Sequence, residues 1–290
     1  MLELPHRPCL GQRATSSQHS ALKLYKMSDI KLIKKIGEGA FGKVYIGKWD
    51  GRKCAVKVIT FDEKFEEIFE DAMKEVTLLS SLQHPNIVRF LDWDGTESDG
   101  KCRILIAVEY CGGGDLHTRI KNRRDSGRYF RETRVIGWFL DVVRAVEYLH
   151  SNGVIHRDIK PLNILKHEDG TIKLGDFGLA KILRSKKDVM ASVRGTVIYS
   201  SPELHLRSVC DAKGDMWSLG CTLYELCKLE PAFGDVSEML NFIEKRGTLG
   251  RLPGSYSSET KQLIKDLLSV DPDERPSASR VRKSLKYLLK

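Results

Sequence analysis

Residues 156 to 165 read HRDIKPLNIL, and within eight of those positions stand His156, Arg157, Asp158, Lys160 and Asn163 among apolar neighbours. Charge placed among core-forming residues is costly unless it is paired or has chemistry to perform. Asp158 can accept a proton from an attacking hydroxyl. Lys160, two places on, can neutralise a moving phosphoryl group, and Asn163, five places from the aspartate, can lend a neutral oxygen to Mg²⁺. Asp176, in KLGDFG, offers the hard anionic oxygen that Mg²⁺ prefers. The plainer alternative is a polar turn between two strands, and ten residues alone do not choose.

A second cluster lies upstream. IGEGAFGKVY supplies Gly37, Gly39 and Gly42, then Val44. Glycine lets a backbone approach phosphate oxygens closely with its N–H groups free to donate. The same GxGxxG opens dinucleotide-binding folds, but there a helix follows, whereas this chain continues as the strand-like GKVYIGKW. A Gly-rich turn without a ligand is the other reading. In CAVKVIT, Lys57 sits inside an alternating run, and Glu75 lies beside the apolar positions Ala72, Val76 and Leu79 of the next segment. A carboxylate at the margin of a buried face wants a cation. Paired with Glu75, Lys57 would be held ready for nucleotide phosphates; otherwise the two are unrelated surface charges.

Particular elements must position these groups. Ile30 to Trp49 and Lys53 to Thr60 carry the β-branched, Gly-punctuated pattern of twisted antiparallel strands. KFEEIFEDAMKEVTLLSSL, residues 64–82, places Phe65, Ile68, Phe69, Ala72, Val76 and Leu79 at helical spacing, which predicts an amphipathic helix. NIVRFLDW and RILIAVEY read as further strands. After Gly112-Gly113-Gly114 the pattern turns helical, interrupted where Ile164-Leu165 and Ile172-Leu174 read as a short hairpin carrying the polar groups. Residues 1 to about 29 have little apolar periodicity and read as a flexible extension. A small β-rich lobe and a larger helical lobe are expected.

Composition bounds the rest. The chain has 290 residues, 41% of them hydrophobic, enough for one large domain or two lobes. No window approaches ~18 uninterrupted apolar residues, so no membrane span is expected, and the N-terminus lacks a secretory apolar run. The seven cysteines (Cys9, Cys54, Cys102, Cys111, Cys210, Cys221, Cys227) are odd in number, scattered and without a CxxC pair. That pattern predicts reduced thiols in a cytoplasmic or nuclear setting. The net charge of +9 could suit nucleic acid. The basic residues read as dispersed, however, with no arginine-rich block, so a solvated basic surface on a phosphate-handling protein is expected.

From about Ile30 to its C-terminus the chain resembles a eukaryotic protein kinase catalytic domain. The resemblance runs through Gly37, Gly39, Gly42 and Val44, then Ala55-Val56-Lys57, Glu75, His156-Arg157-Asp158, Asn163 and Asp176-Phe177-Gly178. It continues into Ser201-Pro202-Glu203, where that family usually has Ala-Pro-Glu, Asp215 of DMWSLG and Arg275 of DPDERPS. It implies an α+β bilobal fold: an N-lobe over 30–108 with one helix, a hinge over 109–115 and a mainly helical C-lobe over 116–290. It implies ATP with Mg²⁺, or Mn²⁺ as a substitute, as cofactors. By resemblance Asp158, Lys160, Asn163 and Lys57 are catalytic, and Asn163 and Asp176 hold metal. Ile36, Gly37, Glu38, Gly39, Gly42, Val44, Ala55, Lys57, Glu75, Glu109, Cys111, Asp115 and Leu165 would bind ATP, with Val108 behind the base and Asp115 toward the ribose. Glu203 and Arg275 would pair in the interior, and Asp215 would hold the catalytic-loop backbone.

Lys160 in HRDIKP, with Thr196 in RGTVIYSSPE, marks the serine/threonine class. VEYCGGGDL, GRYFRE with the following WFLDVV, HRDIKPLNI and KLGDFGLAKIL (Gly175 before DFG) resemble the NIMA-related (NEK) kinases. That family implies protein substrates bearing Ser or Thr, a monomer or transient dimer, no specific nucleic acid or membrane partner, and work in the cell cycle or on microtubules and cilia. Cytoplasmic localisation is expected, with nuclear or cytoskeletal association as options. The chain departs from the family in carrying Phe90 where several members have Tyr, and it is expected to lack their C-terminal coiled coil. Arg157 and Lys181 would receive a phosphate on the 179–200 segment, with Ser192 as the candidate site. The rival classes are a pseudokinase acting as an interaction module, a small-molecule kinase and a nucleic-acid-binding module. The first usually lacks one of Lys57, Asp158 or Asp176, all present here; the second usually lacks the SPE and DMWSLG segments.

Overall fold

A computed structural model describes residues 30–39, 42–62, 66–98, 100–178, 180–182, 197–207, 211–245 and 249–289. They divide into two compact units, the smaller comprising residues up to 82 together with 89–110, the larger 83–88 and everything from 111 onward.

The smaller unit is a five-stranded antiparallel sheet, order β1-β2-β3-β5-β4, with one helix. Its elements are β1 (Lys31–Gly39), β2 (Gly42–Trp49), β3 (Arg52–Asp62), α1 (Glu66–Ser81), β4 (Phe90–Ser98) and β5 (Lys101–Glu109). Alternation decides the faces: Cys54, Val56 and Val58 of β3 join Leu105 and Ala107 of β5 in one apolar cluster, covered by Ile30, Leu32, Tyr45, Trp49 and Leu91. On α1, Ala72, Val76 and Leu79 are buried as their spacing predicts, and the helix packs on β4 and β5. Ile68 corrects that stripe: it stays 40% exposed, while Phe69 beside it is half-buried.

The larger unit contains α2 (Leu116–Asp125), α3 (Glu132–Ser151), β6 (Val154–Ile155), β7 (Ile164–Lys166), β8 (Ile172–Leu174), β9 (Lys181–Ile182), α4 (Pro202–Arg207), α5 (Ala212–Lys228), α6 (Val236–Glu244), α7 (Ser258–Leu267) and α8 (Ala278–Leu288). α3 buries Val135, Ile136, Phe139, Leu140, Val142, Val143, Val146 and Leu149, and packs against α5, α8 and β8. α5 is buried nearly all round, as a helix at the centre of a unit must be. Its start is fixed by Asp211, whose side chain accepts from the N–H groups of Lys213 and Gly214. β7 and β8 form the short hairpin, Ile164 opposite Leu174 and Lys166 opposite Ile172.

The lobe boundaries need correction. Residues 83–88, assigned by sequence to the N-lobe and partly to a strand, belong to the larger unit. Val88 N–H donates to the Leu174 carbonyl at 2.9 Å, Leu174 N–H to Asn86 O at 2.8 Å, and Asn86 Nδ2 to Ile172 O at 2.9 Å. These bonds satisfy the open edge of β8. The hinge stretch 109–115 is likewise divided, Glu109 with the smaller unit and Cys111 to Asp115 with the larger. Ala40 and Phe41, and the 183–196 segment with Ser192 and Thr196, lie outside the described residues.

Candidate active site

In the larger unit the site is built around one buried carboxylate. Asp215, near the start of α5 and 2% exposed, accepts the N–H groups of His156 and Arg157 at 2.9 Å each, and lies 2.8 Å from His150 Nε2. That grip holds Arg157 at φ +70°, a conformation non-glycine residues rarely adopt without such constraint. The turn sets the loop that follows. Asp158 is 9% exposed, and Lys160 Nζ donates to both its carboxylate oxygens, at 3.0 and 2.8 Å. Asn163 Nδ2 donates to the Asp158 carbonyl at 2.8 Å and to Oδ2 at 2.9 Å. The amide nitrogen is thus committed, and Oδ1 is the oxygen Asn163 has left to offer.

His156 is the functional residue to which the sequence reading gave no role. It is fully buried; Nε2 lies 3.1 Å from the Gly175 carbonyl, and Asp158 N–H donates to Nδ1 at 3.3 Å. A carbonyl only accepts and an amide N–H only donates, so the ring is the neutral Nε2–H tautomer. Its ring meets that of buried Phe177 edge to face, with centroids 4.8 Å apart. With Gly175 N–H on the Asn163 carbonyl at 2.9 Å, the two loops become one assembly that presents Asp176 at the surface. Asp176 has φ +58°, a second constrained residue at the expected metal position. The one signal in the sequence was His156's place beside Arg157-Asp158.

Burial holds the His156 imidazole below its usual 6.5, although Asp215, Asp158, Asp176 and the Gly175 carbonyl pull the other way. Burial likewise lowers His84. Burial pushes Asp215 up, but bonds from His150 and the His156 N–H more than offset it, so the carboxyl sits below its usual 3.8. The signs agree on acidification. A histidine with a depressed folded value binds its proton in the unfolded chain as pH falls below 6.5, and a depressed carboxylate contributes stability above 3.8 that is lost below it. The melting temperature of the larger unit is therefore expected to fall between pH 7 and pH 5, and further below pH 4. A calorimetric melting temperature unchanged from pH 7 to 5 would contradict this.

The smaller unit carries the phosphate-facing candidates. Lys57 on β3 reaches Glu75 on α1, with Nζ 2.9 and 2.6 Å from the two carboxylate oxygens. Glu75 is 7% exposed, so this ion pair is largely sheltered from water. β1 and β2 form the glycine hairpin: Gly37 faces Val44, Glu38 faces Lys43 and Gly39 faces Gly42. Gly42 is at φ +129°, where a Cβ would meet the Val58 carbonyl at 2.4 Å, so a side chain there has neither the conformation nor the room. Glu38 pairs with Lys35 on the exposed hairpin rather than facing inward. Ile36 is 48% exposed, while Val44, Ala55 and Val108 are half-buried. Glu109 N–H donates to Arg89 O at 2.9 Å, and its Oε1 accepts Arg89 N–H at 2.7 Å. In the larger unit Cys111 is buried, and Leu165 bridges to Asp115. Asp115 caps α2: Oδ1 accepts Thr118 N–H at 2.6 Å, and Oδ2 accepts the Thr118 hydroxyl at 3.0 Å.

Lys57→Met preserves the apolar stem on β3 but leaves Glu75 without its cation. Loss of one preorganised phosphate donor is expected to lower kcat/KM for ATP by ~10²–10³. Unchanged nucleotide kinetics would remove Lys57 from the site.

Farther from this loop, Arg275 is buried against Glu203, with Nη1 2.7 Å from Oε1 and Nη2 2.9 Å from Oε2. A pairing that sequence reasoning missed lies nearby: the Tyr199 hydroxyl donates to Glu225 Oε2 at 2.5 Å, and Ser218 Oγ donates to Tyr199 O at 2.8 Å, pinning the 197–199 turn to α5.

One carboxylate and one neutral amide oxygen are too few and too hard for a zinc centre, and no cluster of three or more His, Cys, Asp or Glu suited to a metal occurs among the described residues. Mg²⁺ demands little of the protein because it keeps waters and takes phosphate oxygens, so Asp176 and Asn163 fit it. No helix among the described residues is long and apolar enough to cross a membrane.

Residues 30–286 match the protein kinase domain, and the chain belongs to that family. Its domain is NEK-like. It is similar to serine/threonine-protein kinase Nek5 of Homo sapiens, 38% identical over 261 residues, which is 89% of this chain and 36% of that protein. It is also similar to Nek1 of Mus musculus (36% identical, covering 86% of this chain and 20% of that protein) and Nek6 of Oryza sativa subsp. japonica (36%, 88% and 47%). The chain thus spans a fifth to about half the length of these relatives.

Proposed function

We propose that the chain is a serine/threonine protein kinase that transfers the γ-phosphoryl group of ATP to Ser or Thr hydroxyls of protein substrates. The observation that carries this reading is the Asp158–Lys160–Asn163 cluster: a buried carboxylate held by a cation and an amide, on a backbone that Asp215 fixes. Asp158 orients the hydroxyl and accepts its proton. Lys160, already on Asp158, neutralises charge that builds on the transferred group. Lys57, steadied by Glu75, holds phosphate oxygens. Mg²⁺, held by Asp176 and Asn163, would screen the charge of the phosphates when bound. Most of the rate comes from positioning and electrostatics, with little covalent work for the protein.

Lys160 supports the serine/threonine class, as do the names of the relatives, all serine/threonine-protein kinases. A cytoplasmic role in the cell cycle or on microtubules and cilia follows from the NEK resemblance alone. The test is phosphoamino-acid identification after incubating the full chain with Mg-ATP and casein. Phosphoserine or phosphothreonine supports the reading. Phosphotyrosine overturns the class, and no phosphoamino acid despite ATP binding makes the chain an interaction module.

A further inference from the structure

The reading of the basic residues as dispersed fails over one stretch of the sequence. Residues 119–134 hold seven cations (Arg119, Lys121, Arg123, Arg124, Arg128, Arg131, Arg134) and two acids, Asp125 and Glu132. Two of the arginines are used internally. Arg119 Nη2 donates to the Gly113 carbonyl at 2.6 Å, and Arg123 donates to Tyr129 O while its guanidinium lies 5.4 Å from the Phe130 ring centroid. The acid Glu132 is also committed, accepting the Ser257 and Thr260 hydroxyls at 2.5 Å each.

What remains is a surface. Lys121, Arg124, Arg128, Arg131 and Arg134 are exposed, and none enters an ion pair among the described residues. His117, Lys121 and Arg124 are spaced i, i+4 and i+7 on α2 and share one face of it. Arg131 and Arg134 sit at the N-cap and in the first turn of α3, where cations oppose the helix dipole, and Arg131 provides no side-chain cap. Folding gains nothing from the placement of Arg131 and Arg134 at this helix start; an anionic partner would.

We propose that this face of α2 and the start of α3 docks an Asp/Glu-rich stretch of the protein substrate, an assignment that rests on the protein kinase reading above. Its position favours a substrate over other polyanions. His117 and Arg124 lie close enough to Glu225 to act on its charge, and Glu225 anchors Tyr199 in the segment leading to Ser201-Pro202-Glu203. A nucleic-acid surface combines a basic track with stacked aromatics. Here Phe130 is buried and Trp138 packs edge-on against it, leaving Tyr129 as the exposed ring of this stretch.

The test compares two fluorescent seryl peptides, one flanked by glutamates and one by alanine and glycine. The protein is the full chain and its Lys121→Glu/Arg124→Glu/Arg128→Glu variant. For the wild type, anisotropy is expected to show tighter binding of the acidic peptide, weakening as salt is raised from 50 to 200 mM. The variant is expected to lose about tenfold in that affinity, with KM for the acidic peptide about tenfold higher, as the removal of several exposed ion pairs predicts, and its kinetics on the neutral peptide unchanged. Equal wild-type binding of the two peptides overturns the proposal. So does an oligonucleotide or a phosphatidylserine vesicle that binds this face while the acidic peptide does not. If neither peptide is phosphorylated, the kinase reading fails, yet the anisotropy still decides the docking.

Discussion

Asp158→Asn is expected to lower kcat by ~10²–10⁴, the usual loss when a proton-handling group is removed, with the melting temperature nearly unchanged. The substitution is isosteric. Asn163 Nδ2 keeps its 2.8 Å bond to the residue-158 carbonyl, and the loop stays fixed because Asp215 grips His156 and Arg157 through their backbone. What disappears is the anionic oxygen pair that Lys160 now neutralises. Steady-state kinetics beside a thermal melt separate the two effects. A variant that retains a tenth or more of the activity removes Asp158 from its role, and one that melts much earlier shows that the carboxylate serves the fold.

The largest effect on stability is expected from Arg275→Ala. Besides its two bonds to Glu203, Arg275 donates Nε to Ser269 O at 2.8 Å, Nη1 to Lys213 O at 2.9 Å and Nη2 to Val270 O at 3.3 Å, and its guanidinium lies 5.1 Å from the Trp217 ring centroid. Truncation leaves Glu203, 7% exposed, as a buried charge without a partner, which costs about 3–5 kcal/mol. Burial raises the Glu203 carboxyl, but the Arg275 bonds outweigh it and hold it below its usual 4.5. That stabilisation is present above pH 4.5 and fades as pH falls through the folded value. The penalty of Arg275→Ala should therefore shrink in acid, where Glu203 becomes neutral. Replacing both partners by Met should cost less than the single truncation. Denaturant unfolding checks all three. A single-variant loss below about 1 kcal/mol would contradict an intact buried pair.

Legibility in the sequence followed the range of the forces involved. Lys57 and Glu75 were readable because each stands at a definite place on a periodic element, and a buried carboxylate needs a cation. The strands and α1 were readable for the same reason, although Ile68 shows that period alone does not say where a helix leaves the sheet. Residues 83–88 were misplaced because NIVRFLDW reads as one continuous strand, and only the open edge of β8 decides which unit takes its first residues. His156 escaped a role because its bonds reach Gly175 and Asp158 through a fold that residue types do not display. Tyr199 and Glu225, 26 positions apart, escaped for that reason too. Asp115 shows the limit of a resemblance: it offered a ribose contact, while the structure shows both carboxylate oxygens accepting from Thr118 at the start of α2.

The central claim is transfer of a phosphoryl group from ATP, and single-turnover rapid quench tests it most directly. The full chain, saturated with γ-labelled Mg-ATP and a seryl peptide, would be compared with Asp158→Asn at equal nucleotide occupancy. Label appearing on the peptide serine at least ~10²-fold faster with the wild type is the expected result. A wild type no faster than the variant, with ATP bound in both, would contradict the account.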